Sequence, residues 1–263
     1  MSMIFEHAAS GPMWIHGDIN DRCASHWWKN LLFINNFFDV RSTCVDFGYA
    51  ISLLAQFLVV VTLLCYVATK HVRVSIYIAW AGIVASIAYT FTIIFVNKLP
   101  PAPVLTAEPV TAKDMEALLS LVVVNPLARL APALIGFLFA LMPKDDEHRF
   151  NAVFRGIMTL VGVAMGLLSA FYLIGYTSGG HDHTVLLSLY GALHRPAWAT
   201  SLMLLAFLCT DGKRWATVES FLGWRIFSPL SKHVVMGVAI SEPLILHFFS
   251  ALHRPAHATH WST

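Results

Sequence analysis

Charge is what this chain has least of: 12% of its 263 residues are Asp, Glu, Lys or Arg, where soluble domains carry about 25%. A chain so poor in charge cannot cover itself with a solvated surface. Its net charge is only +2 with histidine neutral, so it lacks the electrostatic footprint of a nucleic-acid binder. Cysteine is scarce too, at four residues, which is thin for a disulfide-built scaffold. The familiar catalytic signatures are missing: there is no nucleophile elbow, no helix with paired zinc histidines and no glycine-rich phosphate loop. The opening MSMIFEHAAS has neither a basic start nor a sustained apolar core, so no signal peptide is expected there. No internal repeat is visible, which argues against a transporter built from two related halves.

What fills the chain instead is apolar: 57% of residues are hydrophobic and the mean hydropathy is +0.66. Six apolar segments cover residues 45 to 68, 74 to 96, 117 to 142, 156 to 176, 185 to 209 and 232 to 252, each near the ~20 residues that a spanning helix needs. The predicted fold is therefore all-α, a polytopic transmembrane helix bundle of about six spans, in which helices satisfy their own backbone hydrogen bonds. The lipid bilayer is its first expected partner. Asn125-Pro126 is expected to interrupt the third segment and His194-Arg195-Pro196 the fifth, because proline at membrane depth kinks a helix and frees carbonyls. Two linkers stand apart: residues 97 to 114, with four prolines, read as an extended loop, and residues 143 to 155 as a solvated charged turn.

Ahead of the first segment, residues 1 to 44 form a separate unit from the membrane part at 45 to 263. Cys23, then Trp27-Trp28-Lys29-Asn30-Leu31-Leu32-Phe33-Ile34-Asn35-Asn36-Phe37, then Cys44 is too short to cross a bilayer. It is also too aromatic for a solvent loop, since Trp and Phe interleaved with Asn prefer the headgroup level. This is an interfacial cap. Cys23 and Cys44 bracket it, and a disulfide between them is expected, two unpaired thiols being the alternative; an oxidised pair would face the lumen or the cell exterior. With the cap outside, nine Lys and Arg fall on the inner side, among them Lys70, Arg73 and Lys144, and six on the outer side, the sign that the positive-inside rule requires. An outer tail of 44 residues needs its own means of export, so the sequence is expected to continue upstream of Met1.

Ionisable groups inside apolar segments are costly and are either paired or functional. Arg129 and Arg195 are the two that matter. Each could hold a phosphate or carboxylate through its planar fork of donors; against that stand, for Arg129, snorkelling to headgroups and, for Arg195, a packing pair with Glu242 in the sixth segment. Thirteen histidines are present, most of them in tails and loops. His181-Asp182-His183 would hold zinc only with ligands from elsewhere, so no metal and no bound cofactor are expected.

The run CASHWWKNLLFINNF resembles the membrane acyltransferases of the acyltransferase 3 family, in particular the animal branch named for nose resistant to fluoxetine. Three further stretches resemble it in the same order: Pro126, Arg129, Pro132 and Gly136; Arg195 followed three residues later by Trp198; and Phe221-Leu222-Gly223-Trp224-Arg225-Ile226-Phe227. The resemblance implies a multi-pass protein of the plasma membrane or endoplasmic reticulum. It implies transfer of an acyl group from acyl-CoA, as co-substrate, to an extracytoplasmic hydroxyl acceptor. It places Arg129, Arg195, Asn35, Asn36, Gln56 and Glu242 as substrate-binding candidates.

The family's catalytic histidine and nearby basic residues lie upstream of the stretch matched here. Where the family shows Asn-Asp before Met-Gln-Phe, this chain has Leu53-Leu54 before Ala55-Gln56-Phe57. A late helix that usually carries histidine near a proline has Ser241-Glu242-Pro243. After His253-Arg254-Pro255 the family continues into another helix, whereas here the residues end at Thr263. The chain alone is thus expected to be incomplete or inactive as an acyltransferase. The alternative is a non-catalytic membrane protein that binds or transports a lipid or small hydrophobic molecule.

Overall fold

A computed structural model describes residues 18–38, 43, 48–101, 112–142, 152–176 and 185–210, with short stretches between 220 and 244. Among these residues the regular structure is all helix. In chain order come α1 (Asp18–Leu31), a 3-10 turn (Asn35–Phe37), α2 (Gly48–Lys70), α3 (Val72–Asn97), α4 (Ala112–Leu118), a π-turn (Leu119–Val123), α5 (Pro126–Ala140), α6 (Ala152–Tyr176) and α7 (Val185–Thr210). The chain forms two units, one from Met1–Ser52 with Trp224–Thr263 and the other from Leu53–Gly223.

Within the second unit, α3 packs against α5 and α7, α5 packs against α7, and α6 packs against α7. The residues that α3 buries are Ser75, Ala79, Ile83, Ser86, Thr90 and Ile94, one per turn and mostly small or hydroxylic. The opposite faces carry exposed large apolar side chains, including Leu54, Leu58, Leu63 and Tyr66 on α2 and Tyr77, Trp80 and Val84 on α3. Small polar residues inside with large apolar ones outside is the reverse of a soluble helix. It is the pattern of helices that meet through small residues and face lipid.

Two helices, Gly48–Lys70 and Val72–Asn97, are long and apolar enough to cross a membrane by themselves. A third span is available if Lys113–Val123 and Pro126–Ala140, bent by 41°, count as one broken crossing. The expected fourth and fifth segments are present as helices of 25 and 26 residues, and most of the sixth lies outside the described residues. This is a membrane protein with an all-α bundle.

The break in the third segment has a local cause. Asn125 adopts extended backbone and its side-chain oxygen accepts from the Leu127 N–H at 2.9 Å, while Pro126 occupies the first turn of α5. That is a helix start, in which proline costs nothing because its missing N–H would be unpaired anyway. The expected interruption of the fifth segment is not found: α7 runs unbroken through Pro196. Pro196 is buried among neighbouring helices, and its carbonyl accepts from Thr200 Oγ1 at 2.8 Å. Proline removes only the bond to the Ala192 carbonyl, and with Pro196 buried the helix continues around that one loss. The loop reading of residues 97 to 114 also needs correction at its end, since α4 begins at Ala112. Its AKDMEAL is rich in good helix formers, with Asp114 in the first turn where the helix dipole favours it.

Candidate functional site

The polar machinery of the second unit lies where α3, α5 and α7 meet. Tyr89 on α3 reaches the broken span: its hydroxyl donates to the Leu121 carbonyl in the π-turn at 3.4 Å and receives Asn125 Nδ2 at 2.9 Å. A π-turn shifts the backbone pairing by one residue, here Val124 N–H to the Leu119 carbonyl, and such turns concentrate at working sites in helices. One turn beyond Asn125, α5 carries Arg129, half-buried.

From α7, Arg195 comes to the same neighbourhood, also half-buried. Arg195, the chain neighbour of His194, and more weakly Arg129 from α5 both act on His194 electrostatically. His194 is fixed in place: its Nδ1 lies 3.1 Å from the Tyr190 carbonyl and its ring stacks on Tyr190 at 5.3 Å. Tyr190 in turn stacks on Tyr172 at 4.9 Å and donates its hydroxyl to the Ser169 carbonyl at 2.7 Å. At Gly191 the helix passes close to α3, where a side chain would meet Ile94 and the Pro101 backbone, the latter at 3.2 Å. Only glycine lets α7 approach that near. α5 and α7 thus each carry a half-buried arginine, a residue type whose planar fork of donors can pair with a phosphate or carboxylate.

The other candidates fall elsewhere. Gln56 is half-buried on α2. Glu242, the expected partner of Arg195, lies outside the described residues, as do His181 and His183. Asn35 and Asn36 belong to the first unit, in the 3-10 turn after α1, at 0% and 7% exposure. Around them the cap turns its aromatics outward, with Trp27, Leu31, Leu32, Phe33 and Phe37 exposed, as an interfacial segment would. Lys29 is folded inward, its ammonium 4.4 Å from the centre of the Phe38 ring. Cys23 is buried, and Cys44 lies outside the described residues.

Several contributors carried a sequence signal that was not used. Gly162 and Gly166 on α6 form a small-xxx-small pair, and against them lies Ser201 of α7, whose Oγ donates to the Gly162 carbonyl at 2.7 Å. That spacing alone marks a helix contact. Tyr89 gave no signal, because an isolated tyrosine in an apolar run is indistinguishable from core.

Compared with known proteins, the chain is 27% identical over 96% of its length to Nose resistant to fluoxetine protein 6 of Caenorhabditis elegans. It spans about a third of that relative, 32% of its length. No family model matches the chain, and no solved structure matches it. The likeness to the nose resistant to fluoxetine branch therefore extends across nearly the whole chain and is not confined to its motifs.

Proposed function

We propose that this chain is the part of an integral-membrane, acyltransferase-like protein that grips the anionic portion of an acyl donor or lipid between α5 and α7. The observation that carries this is that half-buried arginines on two packed helices, Arg129 on α5 and Arg195 on α7, both act electrostatically on His194 within an apolar bundle. Two guanidinium groups in a setting of low dielectric favour a phosphate or carboxylate far more than they would in water. Likeness to the nose resistant to fluoxetine relative supports reading that ligand as acyl-CoA, with transfer to an extracytoplasmic hydroxyl by a longer protein. The same reading places the cap on the outer side of the plasma membrane or endoplasmic reticulum, clamped by a disulfide between Cys23 and Cys44. Cys23 is buried and does not behave as a free thiol, in keeping with such a clamp.

A second reading, binding without catalysis, is favoured by one observation. Where the family carries Asn-Asp, Leu53 is buried at 6% exposure and Leu54 faces outward at 63%. Both positions contribute only apolar surface.

The test uses the chain reconstituted in phosphatidylcholine nanodiscs with a long-chain acyl-CoA. A charge-assisted hydrogen bond contributes about 1.5–3 kcal/mol, so Arg129→Gln and Arg195→Gln should each weaken binding about ten- to a hundredfold. Equal affinity of both folded variants and the parent would refute the arginine site. With a long-chain alcohol added as acceptor, mass spectrometry separates the readings: intact acyl-CoA supports binding alone, and the acyl ester of the alcohol together with free CoA thiol supports transfer.

A further inference from the structure

Between α2 and α3 the chain turns at a single residue, His71, so the ends of two spanning helices share one level of the membrane. The backbone holds this turn: the His71 N–H donates to the Val67 carbonyl at 2.7 Å, and the Ser75 N–H to the His71 carbonyl at 3.2 Å. Lys70 closes α2, Arg73 is the second residue of α3, and both are exposed. Their backbones lie at most about 11 Å apart, the reach of three extended residues, so both side chains can meet one phosphate. No acidic residue occurs between Asp46 and Glu108, so neither helix supplies a carboxylate to answer these cations from its neighbouring turns.

Exposed aromatics stand one turn deeper on each helix. Tyr66 precedes Lys70 by four residues and Tyr77 follows Arg73 by four, which puts each ring on the face of its own cation. The two tyrosines are 68% and 72% exposed. Trp80, also exposed, continues the Arg73 face at a spacing of seven. A rise of 1.5 Å per residue puts the tyrosines about 6 Å below the cations and Trp80 about 10 Å below. Deep in hydrocarbon a phenol hydroxyl would be left without a partner, whereas at about 6 Å it meets the glycerol and ester oxygens of a phospholipid.

Cations at this level also serve to orient a helical hairpin. That role requires neither aromatics on the same faces nor cations clear of acid. The three layers of a phospholipid match all of these features: an anionic headgroup on Lys70 and Arg73, ester oxygens beside Tyr66 and Tyr77, and an acyl chain along Trp80. We infer that the α2–α3 turn is a docking face for an anionic phospholipid of the surrounding bilayer. A net negative headgroup is selected because the two cations attract it, while a zwitterionic one brings its own cation with it.

The inference stands apart from the arginine reading and is tested separately. The chain is reconstituted in phosphatidylcholine nanodiscs that contain, at equal mole fraction, a phosphatidylserine or a phosphatidylcholine with a diazirine high in one acyl chain. Crosslinked peptides are mapped by mass spectrometry, and the serine lipid should label residues 63–81 more strongly. A basic residue at an anionic membrane surface gives about a fivefold preference. Lys70→Gln and Arg73→Gln should therefore each lower the ratio of the two labels about fivefold, and the double variant should lower it further. Lys70→Arg with Arg73→Lys keeps the charge and should keep the ratio. Raising salt from about 0.15 M to 1 M shortens the screening length from about 8 Å to 3 Å and should weaken the preference. If the double variant does not fold, the single variants and the salt series still decide.

Equal labelling by the two lipids in the parent would leave the cations with an orienting role only, and the proposal fails. A ratio unchanged in the folded double variant, or lost instead in Arg129→Gln or Arg195→Gln, would place the anion elsewhere and overturn it. Competition by soluble glycerophosphoserine would make the ligand a free headgroup and not a bilayer lipid, which refutes it as well.

Discussion

The contact between α6 and α7 gives the sharpest prediction, because one atom governs it. A methyl group at Gly166 would lie 2.7 Å from Ser201 Oγ, where a carbon and an oxygen need about 3.3 Å or more. Ser201 is buried at 3% exposure, and its Oγ donates to the Gly162 carbonyl at 2.7 Å. In Gly166→Ala the hydroxyl must swing away and lose that bond, or the two helices must separate. Losing an interhelical hydrogen bond in a membrane costs about 0.6–1.7 kcal/mol, and overpacking a close contact about 1–3 kcal/mol. The cheaper adjustment sets the cost, so the variant should be destabilised by about 1–2 kcal/mol.

Intrinsic helix propensity does not offset this when unfolding is followed in a detergent that keeps the helices formed, since alanine then gains equally in both states. The informative measurement is a double-mutant cycle in mixed micelles titrated with dodecyl sulfate. Ser201→Ala alone should cost about 1 kcal/mol. In the double variant the colliding oxygen is gone and the methyl fills its space, so the pair should cost no more than Ser201→Ala by itself. The coupling is then about 1–2 kcal/mol in the direction of rescue. Additive losses, or a Gly166→Ala protein as stable as the parent, would refute the close packing of α6 on α7 at this point.

Asn125→Ala removes both the cap of α5 and the partner of the Tyr89 hydroxyl, so it should cost about 2–3 kcal/mol, against about 1 kcal/mol for Tyr89→Phe; equal losses in the same dodecyl sulfate titration would show that the cap contributes nothing. Cys65 is exposed on α2, five residues before its end at Lys70, and so faces lipid roughly 7–8 Å inside that end. In nanodiscs it should react with a membrane-permeant maleimide and resist a charged one, and rapid labelling by the charged reagent would remove α2 from the bilayer.

The helices were legible because their signal is additive: about 20 apolar residues in a row announce a span whatever they pack against. Their starts at Gly48, Val72, Ala152 and Val185 lie within a few residues of the expected ones. Proline was only half legible. Asn125-Pro126 does break a helix, for the local reason that asparagine caps and proline begins. At Pro196 the same local rule pointed to a break, and the helix continues with Pro196 buried. Local sequence cannot weigh those tertiary terms. The Asn-rich run was expected to form an interfacial cap; the approach of Gly48 to Asn30 and Asn35 that its fold shows is one no spacing reveals.

Why the third span should be broken at all follows from where the break puts its charge. A continuous helix through residue 125 would leave no exposed backbone N–H groups in the apolar layer; restarting at Pro126 creates a positive helix end there. Arg129 lies in the first turns of that restarted helix, where a cation is disfavoured by the dipole. On the proposed reading, an anion held between Arg129 and Arg195 would also meet the positive end of α5, so that one ligand would offset both the broken helix and the buried charge.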